Sequence, residues 1–267
     1  MITTWLVYLG SGSLAGLLAG LLGVGGGIVI VPMLVFMFAW QKLPADHIQH
    51  LALGTSLATI VITSIASVRA HHAHGAVQWQ IFRRITPGIV AGTLFGSWLA
   101  AQLSTSFLKV FFILFTYYVA LQMLLDIKPK PHREVPGIPG LSLAGGVIGL
   151  VSSLVGIGGG SMSVPFLAWC NLRMHSAIGT SAAIGFPIAL SGACGYLLNG
   201  LSIRDLPPYC AGFIYLPAFI GIAVASFLTA PLGARLAHRL PVPRLKKIFA
   251  LLLLIIGTKM LTGLLAH

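Results

Sequence analysis

Forty-one residues pass before this chain carries its first charged side chain, Lys42. Residues 135–172 and 174–203 are likewise free of Asp, Glu, Lys and Arg. Apolar runs beyond ~18 residues are long enough to cross the ~30 Å hydrocarbon layer of a bilayer as helices. Composition agrees. Soluble domains carry about 25% charged residues, whereas 7% of these 267 residues are charged and the mean hydropathy is +0.97. The chain reads as an all-α polytopic membrane protein, with the lipid bilayer as its first partner. The N-terminus has neither the basic region nor the cleavage site of a secretory signal, so its first apolar segment is expected to be retained.

The net charge of +12 does not point to nucleic acid. The sixteen basic residues are scattered between apolar runs, as in membrane loops, and form no basic domain. Acidic residues are more telling. The four, Asp46, Asp126, Glu134 and Asp205, all fall in expected loops. Carriers of metal cations or protons keep carboxylates within the membrane, so their absence there favours an anionic or polar solute. Cys170, Cys194 and Cys210 have no C-x-x-C spacing and read as buried thiols, with a redox or sulfur-relay role as the alternative. No Ser-His-Asp set, carboxylate pair, P-loop or HExxH motif is present. The expectation is no enzyme, no cofactor and no metal.

The chain repeats itself. "GLLGVGGGIVIVP" (Gly20–Pro32) returns 133 positions later within "SLVGIGGGSMSVP" (Ser153–Pro165). "LGTSLA" (Leu53–Ala58) matches "IGTSAA" (Ile178–Ala183), and Gly75 matches Gly200 at the same offset of 125. "LKVFFILF" (Leu108–Phe115) resembles "LKKIFALL" (Leu245–Leu252). The expected division is a first membrane repeat at 1–125, a cytoplasmic linker at 126–138 that is charged and proline-rich, and a second membrane repeat at 139–267.

Each repeat opens on a long apolar run with glycines in its middle. Trp5–Gln41 would make about 55 Å of helix at 1.5 Å per residue, too long for one straight span. Two arms fit: Trp5–Leu22 with Ile28–Trp40, and Pro139–Val155 with Ser161–Trp169. Three spans follow in each half: His47–Val68, Ile85–Gln102 and Phe107–Leu125, then Arg173–Leu198, Pro207–Ala234 and Ile248–Leu265. If each glycine-broken run crosses once, the basic residues divide eight against eight. If each enters and returns, the halves are inverted and the division becomes twelve against four, with Lys42, Lys109, Arg204 and Lys259 in the minority. Positive charge collects on the cytoplasmic side. The expected fold is therefore two inverted repeats, each a glycine-broken helical hairpin plus three transmembrane helices, with both termini outside.

Glycine admits positive φ and leaves backbone N–H groups unshielded. A helix that starts after it attracts anions, and irregular backbone survives in a membrane only when covered by protein or lining a wet cavity. Gly25, Gly26 and Gly27, with Gly158, Gly159, Gly160 and Ser161, are thus candidate substrate ligands. Close helix packing through small residues is the other reading of the same glycines. Thr55, Ser56, Thr180 and Ser181 join the candidates because hydroxyls bind an oxyanion without a permanent charge; the alternative is a bond to the helix backbone or a neighbouring helix. "RAHHAHG" (Arg69–Gly75) has H-x-H spacing but no Cys or carboxylate nearby, and reads as a basic loop. Arg69, Arg83 and Arg84 are expected at a cytoplasmic mouth, where they would steer anions inward.

At these residues the chain resembles the sulfite exporter TauE/SafE (TSUP) family of membrane permeases. The resemblance rests on the two glycine motifs, "LGTS" and "IGTSAA", and on the two-repeat layout. It implies a multi-pass protein of the bacterial inner membrane that moves small sulfur-containing anions, such as sulfite, thiosulfate or organosulfonates including sulfoacetate; the family's name points to an exporter, and the sequence leaves export or uptake open. An anion channel, or a membrane subunit delivering a sulfur compound to a partner enzyme, is the alternative. The sequence leaves the oligomeric state open.

The charge asymmetry makes the first prediction. A single cysteine introduced at position 132 should resist a membrane-impermeant thiol reagent in intact cells and react after permeabilisation. Labelling in intact cells would exclude the inverted arrangement.

Overall fold

The computed structural model describes residues 2–22, 26–125, 135–237 and 242–265. Among them ten α-helices account for nearly all the regular structure. In chain order they are α1 (Ile2–Leu22), α2 (Gly27–Trp40), α3 (Ile48–Ala73), α4 (Trp79–Gln102), α5 (Thr105–Leu124), α6 (Ile138–Val155), α7 (Gly160–Trp169), α8 (Met174–Gly200), α9 (Leu216–Ala237) and α10 (Val242–Leu265). A 3₁₀ turn at Ala45–His47 leads into α3. A two-stranded antiparallel hairpin, β1 (Cys210–Ala211) and β2 (Ile214–Tyr215), precedes α9.

The sequence signals for these helices are local. Ser104 caps α5 by accepting the Phe107 N–H at 3.2 Å. Pro139 sits in the first turn of α6, where its missing N–H costs nothing. Trp40 and Trp169 end α2 and α7, in keeping with interfacial placement. Among the described residues six helices are long and apolar enough to cross a membrane. At 14 and 10 residues, α2 and α7 span only about 21 and 15 Å. The observed spans differ from expectation mainly at loops. α3 continues past Val68 to Ala73, α4 starts at Trp79 rather than Ile85, and the Pro207 region forms the hairpin instead of a helical turn. The linker expected at 126–138 lies, up to Glu134, outside the described residues.

The core sits along α3 and α8. In these two helices 67% and 72% of the most apolar window is buried, against 28–44% in the other four candidate spans. They pack on one another, and the most extensive of the other helix pairings have counterparts with the halves exchanged. α1 packs on α9 as α6 packs on α4; α9 on α3 as α4 on α8; α2 on α3 as α7 on α8; and α5 lies on α10. Each half therefore places its first helix against the fourth helix of the other half, so the two halves share one interior.

Glycines set the closest of these contacts. A Cβ at Gly12 would lie 2.7 Å from the Ile222 carbonyl oxygen and one at Gly145 would lie 2.5 Å from that of Ile85. Backbone meets backbone at both places, the arrangement that lets membrane helices approach without a hydrophobic driving force between them. Neighbouring glycines differ sharply. A Cβ at Gly146 would meet only the Gly88 carbonyl oxygen, at 3.7 Å.

This contrast is testable. Gly145→Ala should lower the unfolding temperature of the purified protein, with an overpacking cost of about 1–3 kcal/mol. Gly146→Ala, one residue on, should leave it nearly unchanged. Equal effects would mean that the α4–α6 approach is not set at Gly145.

Candidate substrate site at the glycine breaks

Both breaks reverse the chain. Gly26 takes φ +73° at the start of α2, and Gly159 takes φ +75° at the start of α7. These are left-handed conformations that side chains resist. A Cβ at Gly26 would be 3.0 Å from the Ala15 carbonyl oxygen, seven residues before the end of α1; one at Gly159 would be 3.5 Å from the Ile148 side chain, seven residues before the end of α6. At the other end of α2, the Gln41 side chain donates to the Tyr8 hydroxyl at 2.7 Å. Both ends of α2 thus lie alongside α1, and α2 runs back along it. The same logic ends α6, whose last turn is closed by Gly156 at φ +73°.

The two breaks touch. A Cβ at Gly27 would lie 2.4 Å from the Gly156 carbonyl oxygen and 2.9 Å from the Ile157 α-carbon. Ser56 reaches across from α3 and donates to that same Gly156 oxygen at 2.8 Å. In α7, Ser163 donates to the Gly159 oxygen at 2.9 Å, so the 2.6 Å contact with Ser181 of α8 is a donation from Ser181. Gly158 is pressed on Gly185, whose Cβ would be 3.0 Å from the Gly158 oxygen. Gly26, Gly27, Ser56, Gly158, Gly159, Gly160, Ser161 and Ser181 are therefore gathered at or beside the breaks. Gly25 lies outside the described residues.

Thr55 and Thr180 have different neighbours. The Thr55 hydroxyl accepts the Tyr215 N–H at 2.9 Å, and the Thr180 hydroxyl accepts the Gln78 N–H at 3.0 Å. Those amides stand just before α9 and α4, where helix N–H groups lack intrahelical partners. The preceding glycine of each motif makes room. Cβ atoms at Gly54 and Gly179 would be 2.4 and 2.8 Å from the carbonyl oxygens of Phe213 and Ala76. Each Gly-Thr pair is a clamp for the loop entering the fourth helix of the other half. These loops also correct one sequence match. Gly75 (φ +65°) corresponds to Gly212 (φ +53°), 137 positions on, and not to Gly200, which ends α8. The hairpin inserted before α9 shifts the spacing.

Arg69 lies toward the C-terminal end of α3, and Arg83 and Arg84 lie toward the N-terminal end of α4. Arg69 and Arg83 are exposed and Arg84 is half-buried. In the histidine-rich turn between them, Trp79 donates to His72 at 3.2 Å and His74 bonds the Ala70 carbonyl at 2.8 Å. A cleft beside it is lined by Ser67, Ala70, His71 and His74 with Gly20 of α1 and Ala230 of α9. Among the described residues no three His, Cys, Asp or Glu side chains gather as metal ligands. Burial pushes the Cys210 thiol up to about 11, which keeps it protonated and unreactive near neutral pH.

The electrostatics of the breaks are those of neutral donors. Asp46 and Asp205 are exposed in connecting segments. Lys259, the cation placed deepest by the sequence, is exposed on α10 with its ammonium 5.5 Å from the centre of the Phe36 ring. What remains is the partial positive charge of two helix N-termini and hydroxyl groups. Three of those hydroxyls, on Thr93, Ser152 and Ser161, are buried without a hydrogen-bond partner. Sequence reasoning named Ser161 and missed Ser152 and Thr93. The signal available for Ser152 was its place 133 positions after Ala19, a polar residue where the first repeat is apolar.

Comparison with known proteins agrees with this architecture. The profile described as "Sulfite exporter TauE/SafE" matches residues 8–260. A "Probable membrane transporter protein" of Haemophilus influenzae is 40% identical over 97% of this chain and 99% of its own length. The "Probable membrane transporter protein YunE" of Bacillus subtilis is 26% identical over 94% of each chain, and a Methanocaldococcus jannaschii protein of similar title is 26% identical over 94% of this chain and 92% of its own. No solved structure matches. With nearly its whole length covered and six helices fit to cross a bilayer, this chain belongs to the sulfite exporter TauE/SafE family of membrane transporters.

Proposed function

We propose that the protein is a secondary transporter of small sulfur-containing anions such as sulfite, thiosulfate or sulfoacetate, in the bacterial inner membrane, built of two inverted repeats with the linker cytoplasmic. The observation that carries this reading is the contact of the two breaks inside a helical interior: Gly27 at the start of α2 lies on Gly156 and Ile157 at the end of α6, and α2 and α7 each start after a left-handed glycine. Helix N-termini stabilise an anion without a fixed cation. A substrate held this way can also leave, whereas a buried arginine would hold it through strong charge-assisted bonds. The reversal of the chain at Gly26 supports the entering-and-returning topology, and with it the twelve-to-four charge division. Arg69, Arg83 and Arg84 then stand at the cytoplasmic mouth and raise the local concentration of anions there.

The test is flux in liposomes of purified protein loaded with sulfite, thiosulfate, sulfoacetate or sulfate. Counterflow of one of these anions is expected, and its loss in Gly26→Leu and Gly159→Leu. Counterflow separates a carrier from a channel, and flux by the isolated chain separates both from a subunit that serves an enzyme. Arg83→Gln should slow uptake at low ionic strength and match the wild type at high salt, where steering is screened. Thr180→Val should act on stability, removing one bond to the Gln78 N–H at a cost of about 1 kcal/mol. Normal flux in both glycine variants would remove the breaks from the pathway.

A further inference from the structure

The helices that follow the two breaks each start after a left-handed glycine, Gly26 or Gly159, and the matching positions around the breaks are opposite in polarity. Ser152, Ser161 and Ser163 line the second. The residues 133 positions earlier are Ala19, Ile28 and Ile30. Thr93 of α4 packs beside α6, where a Cβ at Gly149 would meet its unbonded hydroxyl oxygen; at the matching place a Cβ at Gly16 would meet the Thr229 hydroxyl, which donates to the Ala225 carbonyl at 3.0 Å. A symmetric scaffold therefore carries an asymmetric set of donors.

Two of these donors are unused. The Ser152 hydroxyl is fully buried and has no partner, and its oxygen lies 3.4 Å from where a Cβ on Gly159 would stand, at the cap of α7. The Ser161 hydroxyl, in the first turn of α7, is 7% exposed and also has no partner. The bonded turn of α7 begins when Met162 and Ser163 donate to the Gly159 oxygen at 3.0 and 2.8 Å. The N–H groups of Gly160 and Ser161 precede it and belong to the unpaired set at a helix start. Ser163 and Ser56 differ, because each donates its proton to a break carbonyl.

An unpaired buried hydroxyl costs about 1–3 kcal/mol unless something bonds it. Two at one helix N-terminus converge on one kind of ligand, a small oxyanion. Resting on the transport reading above, we infer that the substrate site belongs to the second repeat alone. One anion per chain binds at the N-terminus of α7, held by the hydroxyls of Ser152 and Ser161 and the N–H groups of Gly160 and Ser161. The first break, apolar at the matching positions, supplies backbone packing through Gly27 and no ligand. Because both serines are buried, the anion reaches them only when α7 and α6 part from their neighbours.

Isothermal titration of the purified protein with sulfite, thiosulfate and sulfoacetate tests this, alongside thermal unfolding without ligand. The wild type should bind one anion per chain. Ser152→Ala and Ser161→Ala should each weaken binding about tenfold or more, the scale of a hydrogen bond to a charged group. Neither should lower the ligand-free unfolding temperature, since the lost hydroxyl bonds nothing within the protein; Ser56→Ala, which breaks a bond, should lower it. Two anions per chain, wild-type affinity in both variants, or a fall in unfolding temperature matching that of Ser56→Ala would overturn the one-sided site and leave the transport reading intact. Binding and flux of none of the three anions by the wild type would overturn both.

Discussion

A peptide group cannot stand unpaired in hydrocarbon, and this structure breaks two helices in its interior. Everything near the core answers to that constraint. The carbonyl of Gly156, left open where α6 ends, is covered by Gly27 and bonded by Ser56. The carbonyl of Gly159 takes the N–H groups of Met162 and Ser163 and the Ser163 hydroxyl. At the second break the most buried helices, α3 and α8, supply hydroxyls: Ser56 to the Gly156 carbonyl and Ser181 to the Ser163 hydroxyl.

The same constraint explains the exchange of helices between halves. A break that faced lipid would leave its backbone unpaired, so each hairpin must be enclosed. Packing α1 on α9 and α6 on α4 encloses both with elements of the opposite half. Small residues permit it: Gly12 and Gly145 let backbones touch, and Gly54 and Gly179 admit the loops that start α9 and α4. The Thr55 and Thr180 hydroxyls then satisfy an amide in each loop. The "GTS" pairs therefore combine two jobs in adjacent residues, a loop clamp at the threonine and a bond toward a break at the serine.

Function follows from what this enclosure leaves over. With no carboxylate in the described long helices and Lys259 turned outward, the described residues at the breaks present dipoles and hydroxyls instead of fixed charge. Such a site suits a transporter, which must release what it binds. The chain's membership of the TauE/SafE family gives the transport class; the donor set around α7 narrows the chemistry to an oxyanion on the reading advanced above.

The sequence by itself determined the solvent, the helical class and the duplication. Charge-free runs of 30 to 41 residues permit no other medium, and an offset of 133 between two glycine motifs marks repetition. It also named both breaks, because glycine beside glycine in an apolar helix has few uses. Tertiary structure alone decided which hydroxyls have partners. Thr55 and Ser56 are neighbours in sequence and indistinguishable by type, yet one accepts from a loop 160 residues away and the other donates to a break 100 residues away. Ser152 carried no motif, and only the reversal at Gly159 brings it to the cap of α7. Hydrogen-bond satisfaction depends on positions fixed by contacts distant in the chain, and no local pattern encodes it.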